Sequence, residues 1–344
     1  MSVSFIRPPR LKPGARVAAL SLSSGFVTEV MARYQAGVRQ CAKEFGWEVV
    51  PTPNALRGPD FLYENPQARA DDLHWALENP DVHGLVSIIG GDDSVRVLPH
   101  LELETIRRHP KAFLGYSDST VTLLLLQFLR AGVMAYHGPA LLTDLAESGG
   151  MNPFVVEGVR RALINDPEPF DLMPAPEWTE LHQPWTPELQ DTRRSHQPGE
   201  GWTWLQGTEP AEGHLIGGCA EVLDMLNGTP GWPDPEVWRG AVMVLETSED
   251  VPPPAQVGYW LRNYAAQGIL QGLSGLLLAR PRGYTMGQKH DLYTWVKRVL
   301  KEAGREDLPV VANMDLGHTS PQLTLPLGGL TRLDPLAGRV TVTA

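Results

Sequence analysis

The chain has 344 residues, 42% hydrophobic and 20% charged, with a formal net charge of −11. That length predicts two domains and a core that needs no disulfide or metal staple. The acidic balance argues against DNA, RNA or an anionic membrane as main partner, yet leaves room for a small phosphorylated ligand on backbone amides.

The two cysteines, Cys41 and Cys219, build neither a metal pattern nor a disulfide framework and fit a reducing compartment. The N-terminal apolar run VAALSL is short and leads into a polar loop, so it reads as a first strand rather than a signal peptide. No stretch approaches the length of a membrane span, and a cytoplasmic location is expected.

The first half alternates strand-like and helix-like segments. RVAALSL precedes a helical period over 29–45, and WEVVP precedes ARADDLHWALEN. GLVSII precedes DDSVRVLPHL, AFLGYS precedes a helix from about Asp118 to Arg130, and VMAYHGP is a fifth strand. This βα alternation predicts an α/β fold with a mainly parallel sheet covered by helices, over residues 1–165. Residues 166–200 are rich in Pro, charge and Trp without a period, and read as a linker, partly ordered against the active site. A second domain, 201–344, holds GHLIGG, the helix AEVLDMLNG, the strand GAVMVLE, a helix near 255–268, the strand GLLLAR, a helix near 286–303 and a strand-rich tail.

Ligands bind at the C-terminal strand ends of such sheets, and FLGYSDST places Ser117 where the fourth strand gives way to a helix. Gly115-Tyr116-Ser117-Asp118-Ser119 approximates the G-x-S-x-G elbow, with Ser for the last Gly. Such a turn exposes a hydroxyl beside free helix amides. Ser117, Asp118 or Ser119 as a plain helix N-cap is the competing reading. A serine needs a base and the base an orienting acid. His318, in GHTSP, is the candidate base, with His137 in YHGPA its rival. Glu246 closes the apolar strand GAVMVLE and is the candidate acid, with Glu249 and Asp250 as rivals. The glycines of IIGGDDS allow close backbone approach, for an oxyanion amide or a phosphate.

Taken together, RVAALSLSSG, IIGGDDS, FLGYSDST, YHGPA, GHLIGGCAEVLDMLNGT, VMVLETSED and GHTSPQLTLPLG resemble the LD-carboxypeptidase family, which includes muramoyltetrapeptide carboxypeptidases and microcin C self-immunity proteins. The resemblance implies a Ser–Glu–His triad of Ser117, Glu246 and His318, with His137 structural. It implies oxyanion amides from Asp118 and from Gly91 or Asp92. It further implies a Rossmann-like N-terminal domain, a mixed β/α C-terminal domain, an active site at their interface, a homodimer, and no metal or organic cofactor.

GGDDS, GGCAEVL and GHTSP look closer to the microcin-immunity branch, which cleaves an amide-type bond between an amino acid or peptide and a nucleotide-like group. Trp202 and Trp204 are candidates to stack the base, or else pack the linker on the second domain. Glu221 and the Asp92–Asp93 pair are candidates to read the substrate's amine or carboxylate. The alternatives are an LD-carboxypeptidase releasing terminal D-Ala from murein tetrapeptide, a phosphotransferase with Asp92 or Asp93 on magnesium, and a non-catalytic ligand-binding protein. The GGDDS loop lacks the lysine a phosphate loop would carry.

Overall fold

Five short apolar runs build the first sheet of the computed structural model, which describes residues 5–122 and 131–343. They are β1 (Arg16–Leu20), β2 (Glu48–Pro51), β3 (Gly84–Ser87), β4 (Ala112–Gly115) and β5 (Ala135–His137). They pair in parallel in the order β2, β1, β3, β4, β5, and Leu325–Leu327 adds to β5 antiparallel. β3, β4 and β5 are buried along their whole length, as parallel strands covered on both faces must be. The order reverses at β1, so a crevice is expected beyond the C-terminal ends of β1 and β3. Ser23, Gly90 and Gly91 stand there, with Ser117 beyond β4.

The second sheet is mixed. Ala211–Cys219, Val242–Glu246, Gly275–Ala279 and Val310–Met314 run parallel at its centre. Thr203–Gln206 closes one edge, and Leu330–Asp334, Arg339–Thr343 and Pro169–Asp171 extend the other. The Pro-rich segment 166–200 therefore gives one strand to this sheet. It also forms the small ribbon of Glu177–Trp178 with Gln197–Pro198, and Thr179 bridges Ser320. Helices fall where apolar periodicity places them, at Met31–Phe45, Pro66–Glu78, Pro254–Ala266 and Met286–Glu302. After Ser117 come a 3-10 turn, Ser117–Ser119, and the helical residues Thr120–Thr122; the rest of the helix expected to Arg130 lies outside the described residues. Among the described residues no helix is long and apolar enough to cross a membrane.

One apolar cluster takes Leu20, Leu85, Phe113 and Val121 from the first sheet's layer and Leu215, Val242, Leu277 and Val311 from the second. The two sheets thus share a core, and single large-to-small changes there cost about 2–5 kcal/mol. At the seam, Cys219 N–H donates to Thr120 Oγ1 at 3.1 Å. Gly218 has φ +153, and a Cβ there would meet the Thr120 side chain at 2.6 Å. The glycine lets the second sheet close directly on the turn that carries Ser117.

Candidate active site

The strand-to-helix turn is strained at its serine. Tyr116 is still extended, whereas Ser117 takes φ 59, a left-handed conformation costing about 1–3 kcal/mol for a residue with a Cβ. The surroundings hold it there. Asp118 is buried, and its carboxylate accepts Ser23 Oγ–H at 2.5 Å and Ser94 N–H at 2.8 Å. Ser94 Oγ–H returns a bond to the Asp118 carbonyl at 2.9 Å, and Ser119 Oγ–H reaches Ser87 Oγ at 2.8 Å. These side chains tie the turn to the loops after β1 and β3. The cap position of the turn is Tyr116, with no side-chain cap bond, so the N-cap reading of Ser117, Asp118 and Ser119 does not describe the geometry. Burial raises the pKa of Asp118, against the bonds from Ser23 and Ser94.

Ser117, His318 and Glu246 come together although 201 residues separate the first two. With Nδ1 protonated, His318 donates to Glu246 Oε2 at 2.7 Å, and Ser117 Oγ–H lies 3.1 Å from His318 Nε2. Glu246 ends its strand beside Cys219 and is buried. Burial alone would raise its pKa; His318 and His137 override this and bring it down to about 2. Burial lowers the pKa of His318, but Glu246, then Glu249 and Glu221, leave it above the usual histidine value. His137, the rival base, is buried on the far side of the acid, its Nε2 3.6 Å from Glu246 Oε1. Tyr116 sets its ring edge-on to His318, with centroids 5.0 Å apart.

The loop carrying His318 is anchored at both ends. Asp315 pairs with buried Arg280 at 2.8 Å and accepts Ala175 N–H and Trp202 Nε1–H, each at 2.9 Å. Asp144 accepts Ser320 Oγ–H and, at 3.1 Å, Gln322 Nε2–H; burial, then Glu147, pushes its pKa up to about 6. Between the anchors Gly317 has φ +70, and a Cβ there would sit 2.0 Å from Glu246 Oε2. Gly317→Ala is expected to cut kcat about a hundredfold or more by displacing the imidazole. Gly304, with φ +71 and open space around it, is the control: Gly304→Ala should cost about 1 kcal/mol of stability and leave kcat within twofold. Steady-state rates and urea midpoints of both variants check this; equal effects on kcat would sink the steric argument.

Two stretches of backbone stand beside Ser117, the turn itself and the loop after β3. The N–H of Asp118 opens a helical turn, where amides lack intrahelical acceptors. Gly90 lies close: a Cβ on it would be 2.9 Å from Ser117 Oγ and 3.4 Å from Asp118 N. Gly91, at φ +153, and Asp92 follow, both exposed.

The other candidates are engaged elsewhere. Asp93 is held by Arg69 at 2.6 Å and Arg96 at 3.0 Å, which removes it as a free ligand for metal or amine. Glu221 accepts Ser248 N–H at 2.9 Å and Ser248 Oγ–H at 2.7 Å, so it shapes the loop after Glu246. The Trp202 indole is tied to Asp315, and Trp204 lies in the edge strand; both pack on the core that the two sheets share. The aromatic that lines the cavity beside His318 is instead Trp185, together with Tyr116, Asp144, Arg194 and Arg282. Arg194 is bound to Glu147. Among the described residues Arg282 has no hydrogen-bond or ion-pair partner. Its signal in the sequence was its place just past GLLLAR, at the C-terminal edge of the sheet.

Comparison with known proteins shows the family and the fold. The model of the LD-carboxypeptidase N-terminal domain matches residues 17–138, and that of the C-terminal domain matches 212–333. The microcin C7 self-immunity protein MccF of Escherichia coli is 27% identical, over 94% of this chain and 92% of its own. A Bacillus subtilis protein named "Probable murein peptide carboxypeptidase" is 26% identical, over 78% and 74%. The crystal structure of an MccF-like protein from Streptococcus pneumoniae in complex with AMP superposes with a TM-score of 0.83 at 27% identity, covering 96% of this chain and 98% of that one. An MccF-like protein from Bacillus anthracis, 22% identical, shares the fold with a TM-score of 0.87, covering 98% and 99%. With both domain models matched in order across the two sheets, the chain belongs to the LD-carboxypeptidase family of peptidases.

Proposed function

We propose that this hydrolase uses Ser117 as nucleophile, His318 as general base and Glu246 as orienting acid to cleave an amide-type bond in an aminoacyl- or peptidyl-nucleotide. The observation that carries the proposal is the continuous path from Ser117 Oγ to His318 Nε2 at 3.1 Å and from Nδ1 to Glu246 at 2.7 Å. Ser117 Oγ attacks the scissile carbonyl while His318 takes its proton. Glu246 holds the ring in the tautomer that presents a lone pair at Nε2 and stabilises the imidazolium. The amides of Asp118 and of Gly91 or Asp92 receive the developing oxyanion, each worth about 3 kcal/mol. His318 then gives its proton to the leaving nitrogen, and water, deprotonated by the same imidazole, releases the acyl group from Ser117.

Trp185 supplies a face for a nucleobase and Arg282 a cation for an anionic group; the relation to MccF and to the AMP-bound MccF-like protein supports a nucleotide. Arg282→Ala is expected to raise KM for such a substrate about tenfold, more than it lowers kcat. An unchanged KM would remove Arg282 from recognition. The main test is mass spectrometry after incubation with an acidic aminoacyl-sulfamoyl adenosine. Free amino acid and sulfamoyl adenosine are expected from wild type and not from Ser117→Ala.

A second reading, release of terminal D-Ala from murein tetrapeptide, is favoured by the same unpaired Arg282, which suits a free terminal carboxylate, and by the Bacillus subtilis relative. Cleavage of the tetrapeptide with the nucleotide compound left intact would select it. Homodimerisation in the cytoplasm belongs to the same proposal, and sedimentation at twice the chain mass is its check.

A further inference from the structure

Glu249 is a carboxylate at the site that the triad chemistry leaves unused. Its Oε2 lies 3.1 Å from His318 Nε2, the same nitrogen that Ser117 Oγ reaches at 3.1 Å. The Glu249 side chain is 57% exposed, against 4% for His318. Its neighbours on the loop are held: Glu221 accepts both donors of Ser248, and Ser248 Oγ accepts Asp250 N–H at 3.2 Å. The carboxylate thus projects from a pinned loop into the open mouth of the site.

Two carboxylates, Glu246 at Nδ1 and Glu249 at Nε2, suit a ring that carries protons on both nitrogens, since neutral imidazole has one N–H. A ring in that state cannot accept the proton of Ser117. A positive group on the substrate would draw Glu249 away and favour the neutral ring.

We infer that Glu249 binds the free α-ammonium of the substrate's acyl residue, which narrows the aminoacyl- or peptidyl-nucleotide of the proposed function to the aminoacyl form with an unblocked amine, and that this ion pair releases His318 Nε2 to Ser117. The inference rests on Ser117 being the nucleophile. A carbonyl carbon poised for attack lies about 3 Å from the hydroxyl, and its α-nitrogen about 2.5 Å further. Glu249 Oε2 is at most two steps of 3.1 Å from Ser117 Oγ, through His318, so the ammonium falls within its reach. Once Glu249 pairs with the ammonium, the Nε2 proton leaves to solvent through the open mouth, and the ring is a base again. Glu246 and Glu221 add to the negative field there, and the raised pKa of His318 agrees with it.

The test compares an acidic aminoacyl-sulfamoyl adenosine with its N-acetyl form. Wild type and Glu249→Gln are assayed for kcat/KM, and the same two backgrounds carrying Ser117→Ala for Kd by calorimetry. Wild type is expected to prefer the free amine about thirtyfold or more, and Glu249→Gln to shrink the preference to within about threefold, in both rate and affinity. Serine-dependent turnover whose preference ignores Glu249→Gln overturns this inference alone. A Glu249-dependent preference in Kd without turnover by wild type supports amine binding and overturns the hydrolase reading for this substrate. Neither turnover nor an amine-dependent Kd overturns both.

Discussion

Ser117→Ala is expected to lower turnover at least about ten-thousandfold, and Ser117→Gly to do the same while giving a protein about 1 kcal/mol more stable than the alanine variant. The first effect follows from chemistry. Neither variant has a hydroxyl for His318 to deprotonate, and a triad stripped of its nucleophile keeps only what binding and the oxyanion amides supply. The second follows from the backbone. At φ 59 alanine keeps the Cβ that makes the turn costly, whereas glycine adopts it freely. Glycine's extra entropy in the unfolded chain offsets part of that gain. A serine held where glycine is preferred is a local rule broken at a functional site, where such breaks are expected. Product release by mass spectrometry and urea midpoints of the two variants check both halves. Retained turnover in Ser117→Ala removes Ser117 as nucleophile. A glycine variant less stable than the alanine one means the turn is not strained.

The parallel sheet was legible because β1 to β5 are short apolar runs bounded by turn residues and separated by helical periods, and periodicity is a local signal. Ser117, Glu246 and His318 stood out because each lies at or just past the end of a strand-like run, the edge where such folds bind ligands. Which rival each would displace was not legible. His137 also follows an apolar run, and only the pairing of the two sheets sets it behind Glu246 at 3.6 Å. Trp202 and Trp204 were candidates to stack a base or to pack the linker on the second domain, and both pack on the core. Trp185, in the aperiodic segment 166–200, is the one facing the cavity, because the bridge from Thr179 to Ser320 brings that segment over the His318 loop. Asp93 and Glu221 looked like free acids, since a sequence does not display the arginines and the serine that engage them. Contacts of that kind are long-range, as between Asp93 and Arg69, and have no periodic trace.

Glu246→Gln should lower kcat about a thousand- to ten-thousandfold without unfolding the protein, because it reverses the tautomer of the base. The carboxylate accepts from His318 Nδ1–H. A glutamine that turns its amide N–H toward Nδ1 would make that nitrogen an acceptor, leaving the proton at Nε2, where Ser117 needs a lone pair. The substitution also removes the strongest of the charges that raise the pKa of His318. Neutral His318 is the active form, so the wild-type acid limb of kcat/KM should lie above 6.5, the unperturbed value; residual activity in Glu246→Gln should persist to lower pH. Stability should move with it in a different window. Against burial, the two histidines lower the pKa of Glu246 from 4.5 to about 2, so the folded state binds its proton less readily than the unfolded chain does. The stability this contributes is complete above 4.5 and is lost as pH falls from there toward 2. Below 4.5 the unfolded chain takes up a proton that the folded carboxylate still refuses, an effect glutamine lacks, so the difference in Tm between wild type and Glu246→Gln should narrow from pH 5 toward pH 3. A difference independent of pH would mean that Glu246 is not held ionised by the imidazoles, and the acid of the proposed triad would have to be sought elsewhere.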